Sequence, residues 1–89
     1  MKYAVIIFDV RLWTQDCRRI SKKDLQRIIE KIQHLEEWPV SANVDVKALQ
    51  HYDAANYRLR VGTYRILFNV DHTAKKIFVL RVLHRSKLY

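Results

Sequence analysis

Arg58, Arg60 and Arg65 fall within the run YRLRVGTYRILFNV, which sets guanidinium groups among apolar residues of strand-forming type. A two-residue Gly62-Thr63 loop of the Gly-X kind supports a type II′ hairpin and places Val61 opposite Tyr64, Arg60 opposite Arg65 and Arg58 opposite Leu67. Side chains alternate faces along a strand, so the three arginines share one face while Leu59, Val61, Tyr64 and Ile66 share the other. Arginines directly opposite each other repel, at a cost of roughly 0.2 to 1 kcal/mol on the scale of cross-strand pairs. A single strand arginine commonly does no more than keep a sheet surface wet. Three on one face, with no Asp or Glu interleaved in the hairpin, point instead to anion binding. Guanidinium groups grip phosphate in bidentate fashion and can stabilise charge that grows on it in a transition state.

The carboxyl terminus adds His84, Arg85, Lys87 and Tyr89 within a few residues. An imidazole or a phenol can move a proton during phosphodiester cleavage, and His titrates closest to neutrality. A His at a strand end is by itself often structural; the nearby arginines and terminal Tyr shift the reading toward chemistry. Charge follows the same geography. Residues 57–89 hold eight Lys or Arg against one acid, Asp71, while the first 56 hold nine against eight, within a chain of net charge +8. Nucleic acid, an anionic membrane and an acidic protein all suit this balance, and charge alone does not choose among them. Cys17 is the only cysteine, which excludes an internal disulfide, and the four His do not stand at zinc spacing with it. A reduced chain without metal or small-molecule cofactor is expected.

Elements must position these residues, and 89 residues make one domain with a single small core. Tyr3 to Phe8 reads as a buried strand. Asp9 ends that apolar run too early for a signal h-region or a membrane span, so a cytoplasmic protein is expected. Arg11 to Arg19 reads as a brief helix. Ser21 is an N-cap with Asp24 three residues on, and Leu25, Ile28, Ile29, Ile32 and Leu35 form one apolar stripe of a second helix. Pro39 stops this helix and leaves Glu37 to Asn43 as a connector. Val44, Val46 and Leu49 suggest a short extended or turn-like piece. Strands then follow at Asn56 to Val61, Tyr64 to Val70 and Ile77 to His84. Arg81 is unresolved at this level: simple pairing puts it opposite Arg65's face, whereas a bulge brings it onto that face.

The segment YRLRVGTYRILFNVDHTAKKIFVLRVLHRSKLY closely resembles the carboxyl-terminal half of the RelE/ParE superfamily of bacterial toxins. Its members typically show a YRLRVGDYR hairpin and end in a strand followed by HR and a Tyr. The resemblance implies an α+β fold in which two amino-terminal helices pack on a small, curved, mainly antiparallel sheet. For the RelE branch it implies ribosome-dependent cleavage of mRNA in the A site, with the RNA 2′-hydroxyl activated against the adjacent phosphate and no metal. Carried over by position, Arg58 and Arg60 grip the RNA backbone and take part in activation, and Arg65 stabilises the phosphate charge. Arg85 serves the leaving group or phosphate, Tyr89 stacks on or orients the scissile nucleotide, and His84 occupies a position of His or Lys. Leu83 departs from the Gly usual before HR. Some relatives carry Lys at Arg58 and Arg60; since arginine is effectively never deprotonated, general-base duty falls on His84 or on groups of the RNA and ribosome.

The implied partners are a cognate antitoxin, acidic or amphipathic, together with the ribosome and its mRNA. A different class stays open: a ParE-like toxin that inhibits DNA gyrase by binding, without RNA cleavage. A plain nucleic-acid-binding module or a decayed toxin is a third. Lys47 and His51 can reach an RNA groove if oriented toward it, and Lys87 extends the basic end. Lys22, Lys23, Arg27 and Lys31 form a basic helix flank, equally readable as an RNA contact or a solvated surface. Trp13, Trp38 and Cys17 are read as packing residues.

Overall fold

The computed structural model describes residues 2–39 and 44–87. Five strands form one sheet in the order β1-β5-β4-β3-β2, comprising β1 (Ala4–Ile7), β2 (Asp45–Ala48), β3 (Tyr57–Val61), β4 (Tyr64–Asp71) and β5 (Lys76–His84). All neighbours are antiparallel except β1, which runs parallel to β5 with Ala4 opposite Lys76. Two helices, α1 (Val10–Cys17) and α2 (Lys22–Gln33), cover one face, as the α+β expectation requires.

Both helices start on side-chain caps. Asp9 accepts a hydrogen bond from the Leu12 amide, and Ser21 accepts one from the Asp24 amide, satisfying donors that a first helical turn leaves without partners. Asp24 also places a negative charge in the first turn of α2, where the helix dipole favours it. The apolar stripe of α2 is narrower than its spacing suggests. Ile28 and Ile32 are buried with Leu35, but Ile29 lies at the flank with 45% of its surface exposed. The helix ends at Gln33, before Pro39, and a 3-10 turn over His34–Glu37 carries the chain to Trp38.

The core lies between sheet and helices. Leu59, Val61, Ile66, Phe68, Ile77, Val79 and Val82 from the strands meet Ile28, Ile32 and Leu35, with Trp13 and Cys17 of α1 packed against them. Trp38 stands edge-on to both Tyr57 and Phe68, at ring separations of 4.9 and 5.7 Å, so both tryptophans do serve packing. By strand alternation every residue between these core positions points to the helix-free face, and the arginines are among them.

Candidate nucleic-acid interface

The β3–β4 hairpin sets the geometry. Gly62 has φ of 57°, whereas Thr63 is not among the described residues with positive φ, the pattern of a type II′ turn. Its register pairs Val61 with Tyr64, Arg60 with Arg65 and Arg58 with Leu67, as the two-residue loop dictates. Arg65 folds back over the turn, its guanidinium donating to the carbonyls of Gly62 and Tyr64 at 3.1 and 3.0 Å.

β2 contributes what the hairpin lacks. Asp45 pairs in register with Arg60 and Lys47 with Arg58, so both lie on the arginine face and the orientation of Lys47 is settled. The Asp45 carboxylate accepts from Arg58 at 3.1 Å and stands 4.0 Å from Arg60. Repulsion between Arg60 and Arg65 is therefore offset on one side by an acid and on the other by turn carbonyls. Asp45 was missed by the sequence reading. Its signal was present in the alternation of Val44, Asp45, Val46 and Lys47, but nothing local ties that segment to β3. His51 lies beyond β2 in a left-handed backbone conformation, φ 60°, and outside the strand register.

A bulge turns the Arg81 position toward the same face, while its head is drawn to α1 at the open edge of β5. Leu67 pairs with Arg81 and Phe68 with Val79, leaving Leu80 as the extra residue, so the alternation of β5 shifts by one. Leu67 is then flanked in register by Arg58 and Arg81. It is only 2% exposed although no helix covers it, as expected where long arginine stems lie over an apolar side chain. The Arg81 head is tied down by Asp16 of α1, with Nε and a terminal nitrogen at 2.7 and 2.8 Å from the two carboxylate oxygens. That hydrogen bond holds the Arg81 pKa above its ordinary value. Asp16 also accepts the amide of Val82, which lies past the end of β1 on the otherwise open edge of β5.

The strand end is arranged differently. Leu83, at the position where Gly was expected, pairs with Arg65, and β5 runs on regularly to His84. His84 pairs with Tyr64, the rings meeting edge to face at 5.5 Å, so alternation puts it on the helix side, across the sheet from the arginines. Its Nδ1 accepts from the Ser86 amide at 3.2 Å and contacts the Ser86 hydroxyl at 2.9 Å, leaving Nε2 as the nitrogen directed away from these bonds. Arg85 donates its amide to Thr63 at 2.7 Å, which docks the short Arg85–Lys87 3-10 segment against the hairpin tip. Arg65 and the backbone of Arg85 are thus both anchored to the Gly62-Thr63 turn. Lys87 is exposed, and Tyr89 lies outside the described residues.

The structure therefore assembles Lys47, Arg58, Arg60 and Arg65 on one helix-free face, holds Arg81 at the β5 edge of that face with its charge paired to Asp16 of α1, brings Arg85 to the rim and leaves His84 behind it. Cations around a shallow apolar floor can hold successive phosphates of a polyanion, since each neutralised phosphate releases counterions.

No curated protein matches the chain at a significant level. Solved structures do. The chain is similar to an archaeal RelE in its complex with RelB from Pyrococcus horikoshii OT3, with 28% identity and a TM-score of 0.76 over 99% of this chain and 100% of that one. A chain of the RelBE2 toxin–antitoxin complex from Mycobacterium tuberculosis matches at 26% identity and a TM-score of 0.75, covering 98% and 95% of the two chains. One from the RelB–RelE complex of Methanococcus jannaschii matches at 27% and 0.70, covering 90% and 91%. The family model described as ParE toxin of type II toxin-antitoxin system, parDE, matches residues 9–89. With that match spanning nearly the whole chain and RelE structures sharing its fold, the chain belongs to the RelE/ParE superfamily of toxins of type II toxin–antitoxin systems.

Proposed function

We propose that this toxin is a ribosome-dependent endoribonuclease that cleaves mRNA in the A site and is neutralised by a cognate antitoxin. The observation that carries the reading is the convergence of Arg60, Arg65 and Arg85 around the hairpin tip, continuous with Arg58 and Lys47 along the strands. The 2′-oxygen attacks the adjacent phosphorus as its proton leaves to a base, the bond to the 5′-oxygen breaks with that oxygen taking a proton from water, and a cyclic phosphate and a 5′-hydroxyl result. Arg65 and Arg60 hold the phosphate and stabilise its growing charge, Arg85 serves the leaving oxygen, and Arg58, Lys47 and Lys87 hold the flanking backbone. Tyr89 orients the scissile nucleotide. No metal is used. The base is a group of the RNA or ribosome, because His84 lies across the sheet from the arginines and, with Nδ1 accepting from the Ser86 amide, its neutral ring carries the proton on Nε2. The antitoxin follows from the solved relatives, which are RelE toxins bound to RelB, and the site of action is the cytoplasm, where ribosomes translate.

A second reading, inhibition of DNA gyrase by binding, is favoured by the description of the matching family model. Primer extension on mRNA bound to programmed ribosomes, beside a gyrase supercoiling assay, separates the two. Cuts confined to A-site codons and lost in Arg65→Ala, with the fold retained, are the expected outcome. Intact mRNA with inhibited supercoiling overturns it.

A further inference from the structure

On the helix side of the sheet, where β5 runs past the end of β1, a half-open groove of about 490 Å³ lies between α1 and the end of β5. Its walls include Gln15 and Arg19 from the α1 side, Tyr64, Arg81 and His84 from the sheet, and Lys87. The volume falls within the roughly 300 to 1,000 Å³ of small-ligand sites. We infer that this groove binds one nucleotide of a single-stranded RNA, its base against the Tyr64–His84 ring pair and its phosphate between Arg19 and Lys87.

Four observations lead there. Arg19 and Lys87 are exposed, and no described residue pairs with either, so both heads are free to meet an anion. The Arg81 charge on the groove wall is already balanced by Asp16, which leaves the cavity net positive at the Arg19 and Lys87 end. Tyr64 and His84 supply aromatic surface, on which any base can stack. Asp16 occupies the Val82 amide, one outward donor of this β5 edge, so a peptide strand adding to the sheet would find that position taken. The last point favours a nucleotide over an acidic peptide. Leu83, which lines the groove between Val82 and His84, pairs with Arg65, so an RNA strand held on the arginine face can cross the edge of β5 and place its next residue in the groove. This rests on the arginine face as an RNA site and deepens that reading by assigning the neighbouring nucleotide.

The test uses the whole protein, isotope-labelled, titrated with heptauridylate in the absence of ribosomes. Amide shifts at Arg19, His84 and Lys87 are expected. In Arg19→Gln/Lys87→Gln, affinity should fall about tenfold or more and the slope of log affinity against log salt should flatten by about 1.4, the share of two phosphate contacts on a single strand. Tyr64→Leu, which keeps apolar bulk in the hairpin, should weaken binding about fivefold or more through lost stacking. Absence of binding, shifts confined to β2–β4 with affinity unchanged in the double variant, or equal occupancy by hexaglutamate overturns the inference. A groove that passes these tests in a protein that leaves A-site mRNA intact would refute the nuclease reading and leave the nucleotide site standing.

Discussion

Removing the Asp16 side chain tests the tie between α1 and the open edge of β5. Asp16 is 9% exposed at its side chain and accepts three hydrogen bonds, from Arg81 Nε at 2.7 Å, a terminal Arg81 nitrogen at 2.8 Å and the Val82 amide at 3.2 Å. Hydrogen bonds to charged groups each contribute about 1.5 to 3 kcal/mol when well shielded. The Arg81 side chain is 37% exposed, so water reclaims part of the guanidinium once its partner is gone, and the open β5 edge lets water reach Val82. The loss in Asp16→Ala should therefore fall near the low end, about 2 kcal/mol in total. In a domain of this length that corresponds to a fall in Tm of about 8 to 16 °C. Thermal unfolding followed by circular dichroism measures it, and a cycle with Arg81→Met isolates the pair, whose coupling should be about 1 kcal/mol or more. A Tm within about 3 °C of the parent, or additive single variants, would refute the argument that this bridge closes the sheet edge.

Asp45→Asn should raise affinity for single-stranded RNA several-fold at low salt, because the carboxylate competes with phosphate for Arg58 and Arg60; the gain should shrink as salt screens the face. Filter binding across a salt series checks this, and weaker binding would mean that Asp45 instead holds Arg58 in its working position. Gly62→Ala should destabilise by about 1 to 3 kcal/mol from backbone strain alone, since φ is 57° and a Cβ would meet nothing within 4 Å; urea unfolding reads the loss, and an unchanged midpoint would contradict the turn assignment. Burial, and then the neighbouring Asp16, push the Cys17 thiol above its ordinary pKa, so less thiolate is present at neutral pH in the folded chain than in the unfolded one. Alkylation near pH 7 should be slower folded than unfolded and should accelerate as pH rises; equal rates in the two states would contradict that placement.

The hairpin was legible to the residue because a two-residue loop leaves no freedom in register: once Gly62-Thr63 is taken as the turn, Arg60 must face Arg65. The long loop before β5 gives no such constraint. The bulge at Leu80 that turns the Arg81 position toward the basic face, and His84 away from it, has no mark in the sequence, where Val79 to Leu83 is an unbroken strand-like run interrupted only by Arg81. Asp45 and Asp16 were opaque for another reason. Each meets its arginine across a sequence separation that pattern and propensity do not span, 13 residues in one case and 65 in the other. Ile29 shows the limit of periodicity itself, since it shares the apolar stripe of α2 but lies at the flank of the buried Ile28 and Ile32, largely open to solvent.

The pairing of β1 with β5 has a consequence for how the toxin comes into being. Ala4 joins Lys76, so β1 waits for a strand made 72 residues later, and β5 must settle between β1 and β4 before either is complete. During synthesis the β3–β4 hairpin and α2 can form, but Val5 and Ile7 have no partner strand until residues 76–84 emerge. Such distant contacts fold slowly and late. Arg65 and Arg85 are brought to the same turn only at that step, so the chain gains its assembled cationic rim only once residues 76–85 have been made and docked, a built-in delay between making the hairpin and arming it.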